Sequence, residues 1–194
     1  MANSNASLEK FLHPKTLKNN LLTISLFITA FENFKESVIS KPVAFFCDGF
    51  NENGYILDEK YNTDVLSLSK SKLYATLLWL QTLEAIDQHD ILKFDAIRKH
   101  RNEVAHETME FLANAEKNFD VTKFTDLITL LTKIEKWWFV NFEASIDPDM
   151  LPEGANADDV IPGVIWSLQL MFDIALGNEP EEGYYYNAFK EKIT

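Results

Sequence analysis

The sequence predicts an all-α protein, an antiparallel bundle of four to five helices. Three observations carry this expectation. Only six Gly and six Pro interrupt 194 residues of which 46% are apolar, a globular composition poor in turn formers. Apolar residues recur every three or four positions over long stretches, which is the spacing of one helix face, while alternating runs are few. The length suits one domain over 1–194, with a core over about 15–176 and an acidic, aromatic tail at 177–194.

The first thirteen residues are polar, with a short helical stretch at 7–12, and are expected to fray. Pro14 then stands where a helix accepts proline, in its first turn. Leu17, Leu21, Ile24, Ile28, Phe31 and Phe34 follow at helical spacing, predicting an amphipathic helix over 15–40 that stops near Pro42. The pattern breaks over 43–63. There Gly49, Gly54 and the run Asn51-Glu52-Asn53-Gly54 predict a loop or small hairpin insertion, with extended pieces at Phe45-Phe46 and at 55–57. The loop carries Gly54 as a calcium-binding EF-hand would. Gly49 and Lys60, however, occupy the positions that need an Asp and a bidentate Glu, so no calcium site is expected.

A second helix is predicted over 69–88, with Leu73, Leu77, Leu80 and Leu83 down one side. A third runs from about 90 to 113. A fourth begins at the cap Asp120 and continues through Phe124, Leu127, Leu131, Ile134, Trp137 and Trp138 to about 145. An acidic loop with Pro and Gly follows over 147–156. The last helix, 158–176, puts Ile161, Ile165, Leu168 and Phe172 on one face, with Pro162 tolerable only in its first turn.

A net charge of −12 argues against a general nucleic-acid coat, which needs a basic surface. The charge is uneven: residues 139–194 hold eleven Asp and Glu against two Lys, leaving only −3 on the first 138 residues. The single Cys47 excludes an intrachain disulfide and fits a reducing compartment. The longest apolar stretch, 21–31, is broken by Thr23 and Ser25 and is too short to span a bilayer, and no signal-peptide pattern opens the chain. A cytoplasmic protein with no membrane attachment is therefore expected.

One stretch stands apart. The two arginines of the sequence, Arg98 and Arg101, both lie within 98–107, and His89, His100 and His106 lie in that stretch or within ten residues upstream. Arginine offers a permanently charged fork for phosphate, and histidine titrates near neutral pH. On a helix, Val104, Thr108, Phe111 and Leu112 form the stripe that faces the bundle, with Arg101 at its edge. Asn102, His106 and Glu110 recur at every fourth position on a different face, so His106 is expected to face solvent or a second subunit. Neither Arg101 nor His106 is predicted to lie in the core. A solvated charged face is the plain alternative.

The run Arg101-Asn102-Glu103-Val104-Ala105-His106 resembles the Arg-polar-x3-His signature of HEPN domains (higher eukaryotes and prokaryotes nucleotide-binding), including Asn after the Arg and Ala before the His. The likeness is sharp over some ten residues and otherwise consists of a compatible helix order. It implies a metal-independent endoribonuclease needing no cofactor, acting as a homodimer whose two motifs meet across the interface. It also implies a toxin or antiphage-defence setting, with an antitoxin or regulatory protein as a further partner. The implied catalytic residues are Arg101, Asn102 and His106, with Arg98 as an added RNA contact.

The chemistry has a physical logic. Cleaving RNA without metal requires a proton taken from the 2′-hydroxyl, charge stabilised on the phosphorane, and a proton given to the leaving oxygen. Histidine moves protons near neutrality and arginine stabilises the developing charge. Arg101 and His106 stand about 140° apart on one helix, whereas two copies about a two-fold axis bring each residue near its symmetry mate. The Tyr that many toxin members carry two residues after the His is Thr108 here, and some family members keep the fold as a non-catalytic binding module. A third class, the di-iron bundle, shares the Glu-x-x-His spacing at Glu103 and His106 but needs a second such pair, which the sequence lacks. Phosphate loops, His-Glu-x-x-His and nucleophile elbows are also missing from the sequence.

Overall fold

Helix α1 (Ala2–Leu12) and the 32-residue helix α2 (Pro14–Phe45) are separated only by His13, whose Nδ1 accepts the Thr16 N–H at 3.2 Å while Pro14 fills the first helical position. This is a computed structural model describing residues 2–52, 54–147, 150 and 159–193. Its remaining helices are α3 (Lys72–Thr82), α4 (Gln88–His106), α5 (Thr108–Ala113), α6 (Val121–Trp138), α7 (Ala144–Ile146), α8 (Gly163–Leu176) and α9 (Tyr184–Ile193). Among the described residues the fold is all-α apart from one small hairpin, and α2 is its axis: α1, α3, α4, α5, α6 and α8 all pack on it. The reason lies in its sequence, which offers Phe27, Phe31, Phe34 and Val38 at helical spacing, all buried.

Several expectations need correction. The described residues hold nine helical segments rather than four or five. Residues 2–12 form α1, and the tail contains α9. Helix α2 does not stop at Pro42 but carries that proline, buried, to Phe45. Beside it Lys41 is buried against Glu135 of α6 at 2.8 Å and lies over the Trp138 ring, so tertiary contact holds the turn that proline would otherwise end.

The insertion is a hairpin of β1 (Cys47–Asn51) and β2 (Gly54–Leu57), antiparallel, with Phe50 opposite Tyr55 and an irregularity between Cys47 and Gly49. The 55–57 segment is a strand as expected, whereas Phe45 and Phe46 belong to the helix end. A wide turn (Tyr61–Val65) and a tight one (Leu66–Leu68) lead to α3.

The helix expected over 69–88 ends at Thr82. There Glu84 takes a left-handed φ of 60° and the Ala85 N–H returns to the Leu80 carbonyl at 3.0 Å, a reversal that glycine usually supplies. The helix expected over 158–176 is α8, which starts at Gly163 with Pro162 as its cap and leaves Ile161 exposed outside it. Most of the loop expected over 147–156, and position 158, lie outside the described residues.

The main core gathers Phe27, Phe34, Phe94, Leu77, Ile97 and Leu131, all essentially inaccessible, with Phe34 stacked on Phe94 at 5.5 Å between ring centres. A smaller cluster of Ile24, Val104, Phe111 and Leu112 lies beneath the motif.

Candidate functional site

Helix α4 is fixed first at its start. Asp87 accepts the Asp90 N–H and Asp90 accepts the Asp87 N–H, both at 3.0 Å, a reciprocal cap that satisfies two donors. Lys133 of α6 reaches Asp90 at 2.5 Å, so this end is tied to its neighbour. Ile91, Phe94, Ile97, His100 and Val104 then make the buried face, with Arg98, Lys99, Asn102, Ala105 and His106 exposed on the rest of the helix. His106 is the last helical residue.

The helix expected to continue to 113 breaks at Glu107, whose ψ of 30° is not helical. The Thr108 hydroxyl takes the Val104 carbonyl at 2.7 Å, an alternative to the helical ladder. The break turns Phe111 and Leu112 inward. It also removes Glu110 from the regular line of Asn102 and His106, since Glu110 belongs to α5.

The predicted residues are placed as follows. Asn102 and His106 are exposed, as the helical phasing requires. Arg98 is exposed, with Asp95 at 3.4 Å. Arg101 is half-buried and committed elsewhere: its Nη2 donates to Glu32 of α2 at 2.6 Å and its guanidinium lies over the Phe31 ring at 5.3 Å. Its Nη1 reaches Asn102 Oδ1 at 3.4 Å, and its Nε is buried without an acceptor. The structure thus joins Arg101 to Asn102 but turns it toward α2. Arg101 thus lies at the edge of the core, and substituting it removes its contacts with Glu32 and Phe31.

Three groups that matter here were given no individual role by the sequence. Glu32 is one. Its carboxyl is held below the usual range first by Lys35 and then by Arg101, against the opposing effect of burial. Lys117 is the second: it pairs with Glu103 at 3.0 Å and with Glu107, so the two carboxylates flanking His106 are already answered. The third is His100, buried among Phe27, Phe111 and Phe119. Its Nε2 accepts the Asp120 N–H at 3.3 Å, which leaves the ring proton on Nδ1, toward Glu103 Oε2 at 3.9 Å. Burial pushes its pKa down, with Asp120 and Glu103 pulling the other way. No local signal in the sequence marks Glu32 or Lys117, whereas a histidine on the same face as Ile97 and Val104 was readable as inward.

Among the described residues no group of three His, Cys, Asp or Glu is placed to hold a metal ion. Glu103 is taken by Lys117 and His106 is exposed, so the Glu-x-x-His pair does not project into the core as a di-iron site requires. No helix among the described residues is long and apolar enough to cross a membrane. No family model matches the chain, and neither a curated protein nor a solved structure matches it.

Proposed function

We propose that this chain is a metal-independent endoribonuclease of HEPN type, in which two copies pair so that Arg101, Asn102 and His106 of each contribute to shared sites. The observation that carries the reading is the outward presentation of Asn102 and His106 on the last turns of α4, beside an arginine at the edge of the core. The pairing of Glu103 and Glu107 with Lys117 supports it, because it offsets the negative charge a phosphate would meet there.

In the proposed reaction a 2′-oxygen attacks phosphorus and loses its proton to His106. The bond to the 5′-oxygen breaks, and that oxygen takes up a proton from water. Arg101 holds the phosphate through the charged intermediate, Asn102 orients it, and Arg98 contacts flanking RNA. The products are a 2′,3′-cyclic phosphate and a 5′-hydroxyl. A toxin or antiphage-defence role under an antitoxin or regulatory partner is the setting the motif suggests.

One observation favours a second reading, a non-catalytic binding module. Arg101 is already bound to Glu32 and stacked on Phe31, a structural duty that needs no RNA.

The experiment is RNA cleavage in EDTA. Fragments with 2′,3′-cyclic ends are expected, and His106→Ala should lower the rate by about a hundredfold or more with Tm unchanged. Arg101→Ala should lose cleavage together with about 1 kcal/mol of stability, the scale of a part-exposed ion pair with a ring contact. Undiminished cleavage by His106→Ala overturns the assignment. RNA binding that depends on Arg101 without any cleavage decides for the binding module.

A further inference from the structure

We infer that Lys117 is a positioning residue of the proposed site and that α1 holds it there, so that α1 regulates the negative charge an RNA phosphate meets beside His106. This rests on the ribonuclease reading above and adds its regulation.

The motif face of α4 is bounded on one side by carboxylates. Glu103 stands about 60° round the helix from His106, on the side away from Arg101, and Glu107 follows where the helix ends. Left alone, the two set a repulsive edge on any phosphate site at His106. Lys117 Nζ lies between them, 3.0 Å from Glu103 Oε1 and in contact with Glu107 Oε2. Glu107 first and then Glu103 hold its pKa above the usual lysine value, so it stays charged throughout the neutral range. The ammonium also lies 4.8 Å over the Phe111 ring. The other oxygen of Glu103 faces His100 Nδ1 at 3.9 Å. Both partners of Glu103 thus lie on the side of α4 toward Phe111, which draws its carboxylate away from His106.

Lys117 has no helix to carry it. It belongs to the irregular stretch between α5 and α6, so its place depends on what grips that loop. Helix α1 supplies the grip from Ser7, Lys10 and Phe11, which share one of its faces. Ser7 Oγ accepts the Ala115 N–H at 3.2 Å. An ammonium has three N–H to give, and Lys10 turns all of them on this loop. The carbonyls of Asn114 and Lys117 take it at 2.8 and 2.6 Å, and Asn118 Oδ1 lies at 3.4 Å. Phe11 packs on the small cluster of Val104, Phe111 and Leu112. The carbonyl that Lys10 grips therefore belongs to the very residue that answers Glu103 and Glu107. Only His13 joins α1 to α2, and no residue of α1 belongs to the main core, so α1 can be displaced while that core stays packed.

The test measures affinity of the full chain for a random pool of single-stranded RNA about twelve nucleotides long. Each 2′-oxygen is methylated, so the phosphates are offered and the attacking hydroxyl is not. Lys117→Ala should weaken binding at least about threefold at low salt, the scale of one surface charge near a phosphate, and the difference should shrink as salt rises. Lys117→Arg should bind as the wild type does. Adding Glu107→Gln to Lys117→Ala should recover the affinity, because the charge is restored without the lysine. Lys10→Ala should weaken binding by a similar factor and add nothing to Lys117→Ala. Wild-type affinity in Lys117→Ala, or a loss that Glu107→Gln does not recover, overturns the role of Lys117; the ribonuclease reading then still stands on cleavage of unmethylated RNA. Wild-type affinity in Lys10→Ala overturns the part given to α1. A wild type that neither binds the pool nor cleaves unmethylated RNA overturns both this role and the ribonuclease reading.

Discussion

His100 sits one position before the motif arginine, yet its surroundings are those of a core residue: three phenyl rings around it and one backbone N–H on its Nε2. Protonation would place a second donor where Nε2 now accepts. Burial of the ring holds the folded pKa below the unfolded value of about 6.5. Between those two values the unfolded chain binds more protons than the folded one, so stability rises with pH there. The contribution is fully present above about pH 6.5 and is lost as pH falls through the folded pKa. Denaturant midpoints measured from pH 7 down to pH 5 should fall for the wild type. They should fall less for His100→Gln, whose amide oxygen can still accept the Asp120 N–H. An unchanged slope would contradict this role. At the same scale the sequence made His106 legible as outward, because helical phasing alone decides that. It could not show that Arg101 is taken by Glu32, a residue 69 positions away.

At the scale of the element, α1 is the clearest departure from local expectation. Its polar composition reads as a fraying end, and the structure holds it by long-range contacts. Lys10 donates to the carbonyls of Asn114 and Lys117 at 2.8 and 2.6 Å, and Ser7 accepts the Ala115 N–H at 3.2 Å. The loop so clasped carries Lys117 to Glu103 and Glu107, which links α1 to the edge of the motif. Lys10→Ala is expected to cost about 1–2 kcal/mol, the scale of lost charge-assisted hydrogen bonds, and to expose the first thirteen residues to proteolysis. Cleavage rates there equal to those of the wild type would remove the clasp from the account. The ends of α4 teach the same lesson in both directions. Its start at Asp87 has a local signature, the acid three residues later, and the third helix was placed within a few residues of it. Its end at Glu107 has none, because the break depends on Phe111 and Leu112 finding the small cluster under Val104.

For the whole molecule, the proposed composite site makes a prediction that no single protomer can satisfy. Arg101→Ala and His106→Ala proteins, each inactive alone, should regain RNA cleavage when mixed and allowed to exchange subunits. Half the dimers would then be mixed and each would hold one intact site, giving about a quarter of wild-type activity. Failure to complement, with sedimentation confirming mixed dimers, would mean that Arg101 and His106 act from one chain. The same view relocates the centre of the structure. The compositional oddity at 98–107 lies on a peripheral face, and the element that organises the fold is the aromatic-rich α2. Truncating Phe34, inaccessible where α2 meets α4, should therefore cost about 3–5 kcal/mol, far more than the loss of the Arg101 or His106 side chain.

Composition and spacing by themselves determined that the chain is helical, where most of its helices lie, and that Asn102 and His106 look outward. These depend only on residues within a few turns of each other, where periodicity acts. The tertiary structure decided what local preference cannot. It carried Pro42 inside a helix, broke another at Glu107, ordered α1, and turned Arg101 onto α2. Each of these is set by a partner far along the chain, such as Glu135 for Lys41 or the 114–118 loop for Lys10, and a contact of that kind outweighs local propensity once the core forms around α2.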